Sequence, residues 1–217
     1  MTGNTQRAAI VTGASRGIGA AVAERLAHDG FGVAVNYASG ATAAEERWCA
    51  RSRRPAAGPW PRGPTSATPR PCGRCSTMWR PRSGGVDVLV NNAGVMPLAT
   101  IADTDDATFD RLIAINLRGT FNTLREAARR VRPGGRIINF SSSQSALLMP
   151  TYGVYAATKA AVEALTHVLS RELRGRNVTV NASVAWTDRD PALPRGQDTG
   201  DSRPPGQARA TRASRAA

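Results

Sequence analysis

A short apolar run, Ala8 to Thr12, passes directly into Gly13-Ala14-Ser15-Arg16-Gly17-Ile18-Gly19 and then into an apolar-periodic stretch, Ala20 to Leu26. Strand, glycine turn and helix in immediate succession open a βαβ unit, because a parallel partner strand is reached only by a crossover that packs on the sheet. Val33 to Val35 supplies that partner. The alternation resumes at Val86 to Val90, a third apolar run ending at Asn91-Asn92-Ala93-Gly94. Asp106 to Val131 is periodic over several helical turns and stops at Pro133-Gly134-Gly135. Arg136 to Phe140 then reads as strand, Tyr152 to Arg174 as helix and Val178 to Val180 as strand. The expected fold is α/β, a doubly wound parallel sheet with ligand sites at the carboxyl ends of its strands.

With 217 residues the chain has room for one such domain and not for two of ordinary size. No apolar run approaches the roughly 18 residues of a membrane span, and Met1 to Gln6 lacks the basic and apolar regions of a secretion signal, so a cytoplasmic location without membrane partners is expected. Three scattered cysteines, Cys49, Cys72 and Cys75, make no disulfide framework and fit a reducing compartment. The net charge of +13 would ordinarily point to nucleic acid. Its distribution argues otherwise: residues 47–83 hold nine Arg and no acid, residues 183–217 hold six Arg and four Asp, and the remainder totals only +2. The clusters lack aromatic stacking spacing and helical periodicity, so nucleic acid is not the expected partner.

Each chemistry-bearing motif falls at a strand end. The glycine turn can present backbone N–H groups to a pyrophosphate, with the helix N-terminus favouring the negative charge. Its spacing is G-x-x-x-G-x-G, not the common G-x-G-x-x-G. Tyr155 and Lys159 stand four apart in a helical stretch, hence on one face. A free tyrosine has a pKa of roughly 10, and bringing it to about 7 needs about 4 kcal/mol. One cation about 4 Å away at an effective dielectric of about 20 supplies that much. Ser142 lies thirteen residues upstream, between Ser141 and Ser143.

In this order, T-G-x-x-x-G-x-G (Thr12 to Gly19), N-N-A-G (Asn91 to Gly94), Asn116, Ser142 and Y-x-x-x-K (Tyr155 to Lys159) resemble the short-chain dehydrogenase/reductase family, most nearly its 3-oxoacyl-[acyl-carrier-protein] reductases. The resemblance covers residues 7–46 and 84–182 and implies a Rossmann-type sheet and hydride exchange between NAD(P) and a small carbonyl or alcohol. It implies that Tyr155 is the general acid in reduction and the base in oxidation, that Lys159, the chain's one lysine, lowers the tyrosine pKa and holds the nicotinamide ribose, that Ser142 binds the substrate oxygen, and that Asn116 joins Lys159 to solvent through a water relay. It further implies that Gly13, Ser15, Arg16, Gly17, Ile18, Gly19, Asn92, Ala93 and Gly94 line the cofactor with Tyr155 and Lys159, and that the protein is a dimer or tetramer through residues 106–132 and 152–174.

After the second strand the chain reads Asn36-Tyr37-Ala38-Ser39, with no acid to take the ribose hydroxyls of NAD. Arg16 can pair with a 2′-phosphate, so NADP(H) is favoured over NAD(H), with Tyr37, Ala38 and Ser39 at the adenosine end. No metal is expected: Cys72-Gly73-Arg74-Cys75 lacks a second ligand pair, and His28 and His167 sit apart on helices. Asp103, Asp105 and Asp106 near a helix start read as capping residues.

Residues 47–83 and 183–217 depart from the family. They carry all three Cys, all four Trp and eleven of the fourteen Pro. Where the family has helix, strand and helix, seven prolines in residues 47–83 would break both. A normal length with foreign composition suggests a compensated reading-frame slip: codons for Arg47 to Arg54 exist whose neighbouring frame reads Val-Val-Arg-Ala-Ile-Glu-Ala, and codons for Ala185 to Asp190 exist that yield the family's Pro-Gly loop. The expected organisation is therefore a family-like domain over 1–182, irregular over 47–83, followed by a disordered tail over 183–217. The alternative to an active reductase is an inactive or poorly folded product of that slip.

Overall fold

The computed structural model describes residues 7–37 and 85–185. Five parallel strands form one sheet: β1 (Ala8–Thr12), β2 (Gly32–Asn36), β3 (Val86–Asn91), β4 (Val131–Ser142) and β5 (Thr179–Ala185), in the order β2-β1-β3-β4-β5. Every neighbouring pair is parallel, so each connection is a crossover, and the order reverses beside β1, where a doubly wound sheet opens its crevice. Helix α1 (Gly17–His28) follows β1. After β3 come α2 (Asp106–Leu112), a π-helical segment (Ile113–Gly119) and α3 (Thr120–Arg130), end to end. The one-turn α4 (Gln144–Leu147) and the long α5 (Gly153–Glu172) separate β4 from β5.

Strand periodicity places the core on both faces. Ala9, Val11, Val33, Val88 and Val90 pack with Ala23 of α1, while Ile10, Ala34, Leu89 and Ile137 pack with Leu124 and Ala127 of α3 and Leu169 of α5. The two faces of β1 thus serve opposite helix layers, the arrangement that a sheet buried on both sides requires. Val86 joins Leu89 on the α3 and α5 side, a break in alternation that coincides with a register shift between Val86 and Val88. Asp105 caps α2 by accepting from Thr108 N at 2.6 Å, and Asp106 opens its first turn. Asp103 is engaged with the Thr100 hydroxyl at 2.5 Å.

Three boundaries differ from the sequence expectation. The helix expected over Asp106 to Val131 is interrupted by the π segment and ends at Arg130, and Val131 already belongs to β4. The Pro133-Gly134-Gly135 stop is absorbed as an irregularity inside β4, where the partner register jumps from Val131 to Arg136. β5 continues through Ser183, Val184 and Ala185, paired with Phe140, Ser141 and Ser142, beyond the boundary expected at residue 182. The alternation Val178, Val180, Ala182, Val184 is the strand signal that the composition change after residue 182 obscured. The expectations for residues 47–83, for 186–217 and for the three cysteines lie outside the described residues.

Candidate active site

The glycine turn is shaped by its contact with the end of β3. The Thr12 hydroxyl accepts from the backbone N–H groups of Asn92 and Ala93, each at 3.1 Å, and faces Val90 O at 3.4 Å. Asn92 answers with its own amide, donating to Thr12 O and Gly13 O at 3.1 Å each. A side chain at Gly13 would put Cβ 2.7 Å from Ala93 Cα, and one at Gly19 would meet Asn92 Nδ2 and come 2.7 Å from Gly13 O. These two glycines are therefore required by close approach. Gly17 is required for another reason: its φ is +57° and nothing lies within 4 Å of a Cβ there.

Arg16 is the exposed, extended N-cap residue of α1 and makes no capping bond, and the first turn of that helix holds no acid. Its N–H groups and dipole are left to an anion from outside. Ser15 is half-buried beside it and Ile18 is exposed. Ala14 N donates to Asn36 O at 3.1 Å, which ties the turn to the end of β2 and to the half-buried Tyr37. Ala38 and Ser39 lie outside the described residues.

Ser142 ends β4, Tyr155 and Lys159 stand on the first turns of α5, and Gly94 lies between Lys159 and Asn116: a Cβ on it would be 3.7 Å from Lys159 Nζ and 3.4 Å from Asn116 Oδ1. The structure thus brings Asn116, Ser142, Tyr155 and Lys159, spread over 43 positions of chain, into one cluster. The Ser142 hydroxyl is hydrogen-bonded to the Tyr155 phenol, whereas Ser141 donates to Glu163 and Ser143 precedes α4. Lys159 Nζ donates to Phe140 O at 2.8 Å and sits 5.6 Å from the centroid of the Tyr155 ring.

One expectation is corrected here. Lys159 was expected to depress the Tyr155 pKa, yet the phenol is pushed above its usual 10.0, by burial first, with the Ser142 hydrogen bond pulling the other way. The reason is geometric. The i to i+4 spacing brings the two side chains to one face, but the lysine extends past the ring to the Phe140 carbonyl, and burial lowers its own pKa from 10.5 to about 8. Burial, which disfavours both charged forms, outweighs a cation standing off the phenol.

Asn116 also does something the sequence did not announce. Its Oδ1 accepts from Val95 N and its Nδ2 donates to Val95 O, both at 2.9 Å, with Thr158 Oγ1 at 3.3 Å. The side chain clamps the segment after Gly94 to α5, and its place in the π segment is what turns it there. Behind it, Asn91 Nδ2 donates to Asn139 Oδ1 and Asn139 Nδ2 to Thr166 Oγ1, both at 2.8 Å, with the Thr123 hydroxyl 2.7 Å from Asn91 Oδ1. This buried chain joins β3, β4, α3 and α5. Polar residues at the ends of apolar strands, Asn91 and Asn139, were its visible trace in the sequence.

Among the described residues no group of His, Cys, Asp and Glu is placed to hold a metal, and no helix is long and apolar enough to cross a membrane. His28 is exposed beside Asp29 at 3.6 Å.

The family model for short chain dehydrogenases matches residues 7–185. A short-chain type dehydrogenase/reductase of Picea abies is 42% identical over 184 residues, covering 81% of this chain and 68% of the relative. An NADPH-dependent aldehyde reductase-like chloroplastic protein of Arabidopsis thaliana is 39% identical over 188 residues, covering 81% and 70%. Among solved structures, landomycin C-6 ketoreductase LanV, with bound NADP and rabelomycin, superposes with a TM-score of 0.74 at 35% identity, covering 84% of this chain and 77% of that one. By the match of that family model over most of its length and by these relatives, the chain belongs to the short-chain dehydrogenase/reductase family of NAD(P)-dependent oxidoreductases.

Proposed function

We propose that this protein reduces a carbonyl group to an alcohol with NADPH, using Tyr155 as the proton donor. The observation that carries the reading is the half-buried Tyr155 phenol, hydrogen-bonded to Ser142 and held above its usual pKa. At neutral pH such a phenol is protonated, which is the form that a carbonyl oxygen needs as it gains charge. Ser142 orients that oxygen by hydrogen bonding, and Lys159, mostly protonated at neutral pH with a pKa of about 8, adds positive charge in the same cluster. The raised phenol disfavours the reverse direction, in which Tyr155 must act as a base.

The residues present fit a dinucleotide. The uncapped first turn of α1, the open space over Gly17 and the exposed Arg16 suit phosphates, and β2 ends at Asn36-Tyr37 without an acid. Arg16 and the residues after β2 favour NADP(H) over NAD(H). When bound, the nicotinamide supplies the hydride. Ser15, Ile18, Ala93 and Gly94 would help to hold the dinucleotide, and Asn116 holds the Gly94-Val95 segment in place. A dimer or tetramer would use Phe109, Phe121 and Val168, which are exposed on the helices of residues 106–130 and 153–172. Loss of NADPH absorbance with an added aldehyde or ketone, and none with Tyr155→Phe, is the expected result. Equal turnover by Tyr155→Phe would end the assignment.

A second reading is favoured by one observation, the nine Arg and seven Pro of residues 47–83: a frame-slipped product that keeps the site residues without a working pocket. Coding DNA whose neighbouring frames give family-like sequence at both places, together with no thermal shift on adding NADPH, would select it.

A further inference from the structure

We propose that Glu163 is the positioning residue for Ser142, bracing the end of β4 against α5 through two serine hydroxyls; this rests on the reading of Ser142 as the group that orients the substrate carbonyl. Glu163 lies eight residues after Tyr155 and four after Lys159, so all three project from one side of α5. Its Oε1 accepts from the Ser141 hydroxyl and from the Ser145 hydroxyl, the latter at 2.7 Å. The Ser145 oxygen is also 2.8 Å from the Ser142 carbonyl oxygen, so its single proton is shared between the carboxylate and the Ser142 backbone. One carboxylate oxygen therefore grips the residue before Ser142 and the residue three after it. The Ser142 hydroxyl accepts in turn from Gln144 N at 3.3 Å, which links the braced turn to the atom that meets Tyr155.

Besides Glu163, the turn is held by backbone bonds from Leu147 N to Ser143 O and from Leu148 N to Gln144 O, and by the buried Gln144 side chain, whose Oε1 accepts from Met149 N at 3.4 Å. α4 has four residues, too few to keep its own shape, and it ends at Leu148 with φ +49°, a conformation unfavourable for a side-chain-bearing residue. Hydroxyl bonds to an ionised carboxylate are roughly twice as strong as neutral ones. Glu163 is thus well suited to fix where the Ser142 oxygen points, without touching substrate or cofactor itself.

The test uses the full chain. Glu163→Met keeps the length and removes the acceptor, Glu163→Gln keeps one neutral acceptor, and Ser142→Ala removes the group through which Glu163 is held to act. Glu163→Met should lower kcat about tenfold with the KM for NADPH within about twofold, and Glu163→Gln should restore most of the loss. In the Ser142→Ala background Glu163→Met should cost nothing further, because the two act in series. Amide hydrogen exchange over residues 141–147 should be about tenfold faster in Glu163→Met than in wild type. Full kcat in Glu163→Met, losses that multiply with Ser142→Ala, or unchanged exchange over that turn would each overturn the proposal. Faster exchange in a wild-type protein background that shows no carbonyl reduction would sustain the brace and sink the functional reading, so the two fail separately.

Discussion

Lys159 makes a prediction with a definite sign. It is 7% exposed, its ammonium is bonded to Phe140 O, and burial lowers its pKa from 10.5 to about 8. In the unfolded chain the amine keeps its proton to about pH 10.5, whereas in the folded chain it gives it up near pH 8. Between those values the unfolded state binds more protons, so stability has to rise with pH. The full burden of keeping the charge buried is about 3 kcal/mol, present below pH 8, and about 2 kcal/mol of it is recovered between about pH 7.5 and about pH 10. Tyr155 stays out of this window: its raised pKa places its effect above pH 10 and with the opposite sign, since there the unfolded chain loses its proton first.

The measurement is urea unfolding of wild type and Lys159→Met across that pH range, taken as a difference so that the other titrations cancel. Wild type should gain about 2 kcal/mol on the variant as pH rises, a relative shift in Tm of roughly 4–8 °C for a chain of this size. A flat difference would mean that Lys159 keeps its proton as firmly in the fold as out of it. A falling one would mean that the phenol or the Phe140 carbonyl stabilises the ammonium beyond the cost of burial. Either result refutes burial as the dominant influence on the pair.

Two further outcomes follow from the packing. Gly19→Ala should destabilise by about 1–3 kcal/mol, because its Cβ meets Asn92 Nδ2 and the Gly13 carbonyl, whereas Gly17→Ala, with open space around it, should cost only about 1–2 kcal/mol through its positive φ; thermal melts with and without NADPH check both, with the NADPH shift lost in Gly19→Ala. Asn116→Ala leaves Val95 N, Val95 O and Thr158 Oγ1 without that partner and should lower the urea midpoint by the equivalent of about 1–3 kcal/mol, the half-buried Val95 regaining part from water.

The sequence was legible where a physical period or a backbone requirement writes itself into residue types. The strands alternated or ran apolar, Gly13 and Gly19 were demanded by backbone contact, and Tyr155 and Lys159 shared a helix face. What the spacing could not carry was the far end of a long side chain. Lys159 has four methylenes of freedom, and only the fold reveals that Phe140 O captures its ammonium. The π segment around Asn116 was equally silent, since Ile113 to Gly119 has the composition of an ordinary helix; what rewards the wider turn is the tertiary clamp on Val95. Nothing in the sequence marks Glu163, because Ser141 and Ser145, its partners, are about twenty positions away in the chain.

The site divides into two halves that meet through few atoms. The residues that would treat the carbonyl, with their clamps Asn116, Asn139, Thr158 and Glu163, all come from the continuous run 85–185. The glycine turn comes from residues 7–37 and joins the other half through Thr12 and Asn92, whose five hydrogen bonds lie between β1 and β3. Asn92 is therefore, with Thr12, where the glycine turn meets the half that holds Ser142, Tyr155 and Lys159. Asn92→Ala removes the amide that holds Thr12 O and Gly13 O but leaves the Asn91, Asn139 and Thr166 chain intact, so damage to the turn should leave the Ser142, Tyr155 and Lys159 arrangement standing. Under the proposed reading binding and chemistry are separable in this fold, because the polar chain behind β3 and β4 holds one half while the Thr12 and Asn92 side chains between β1 and β3 hold the other.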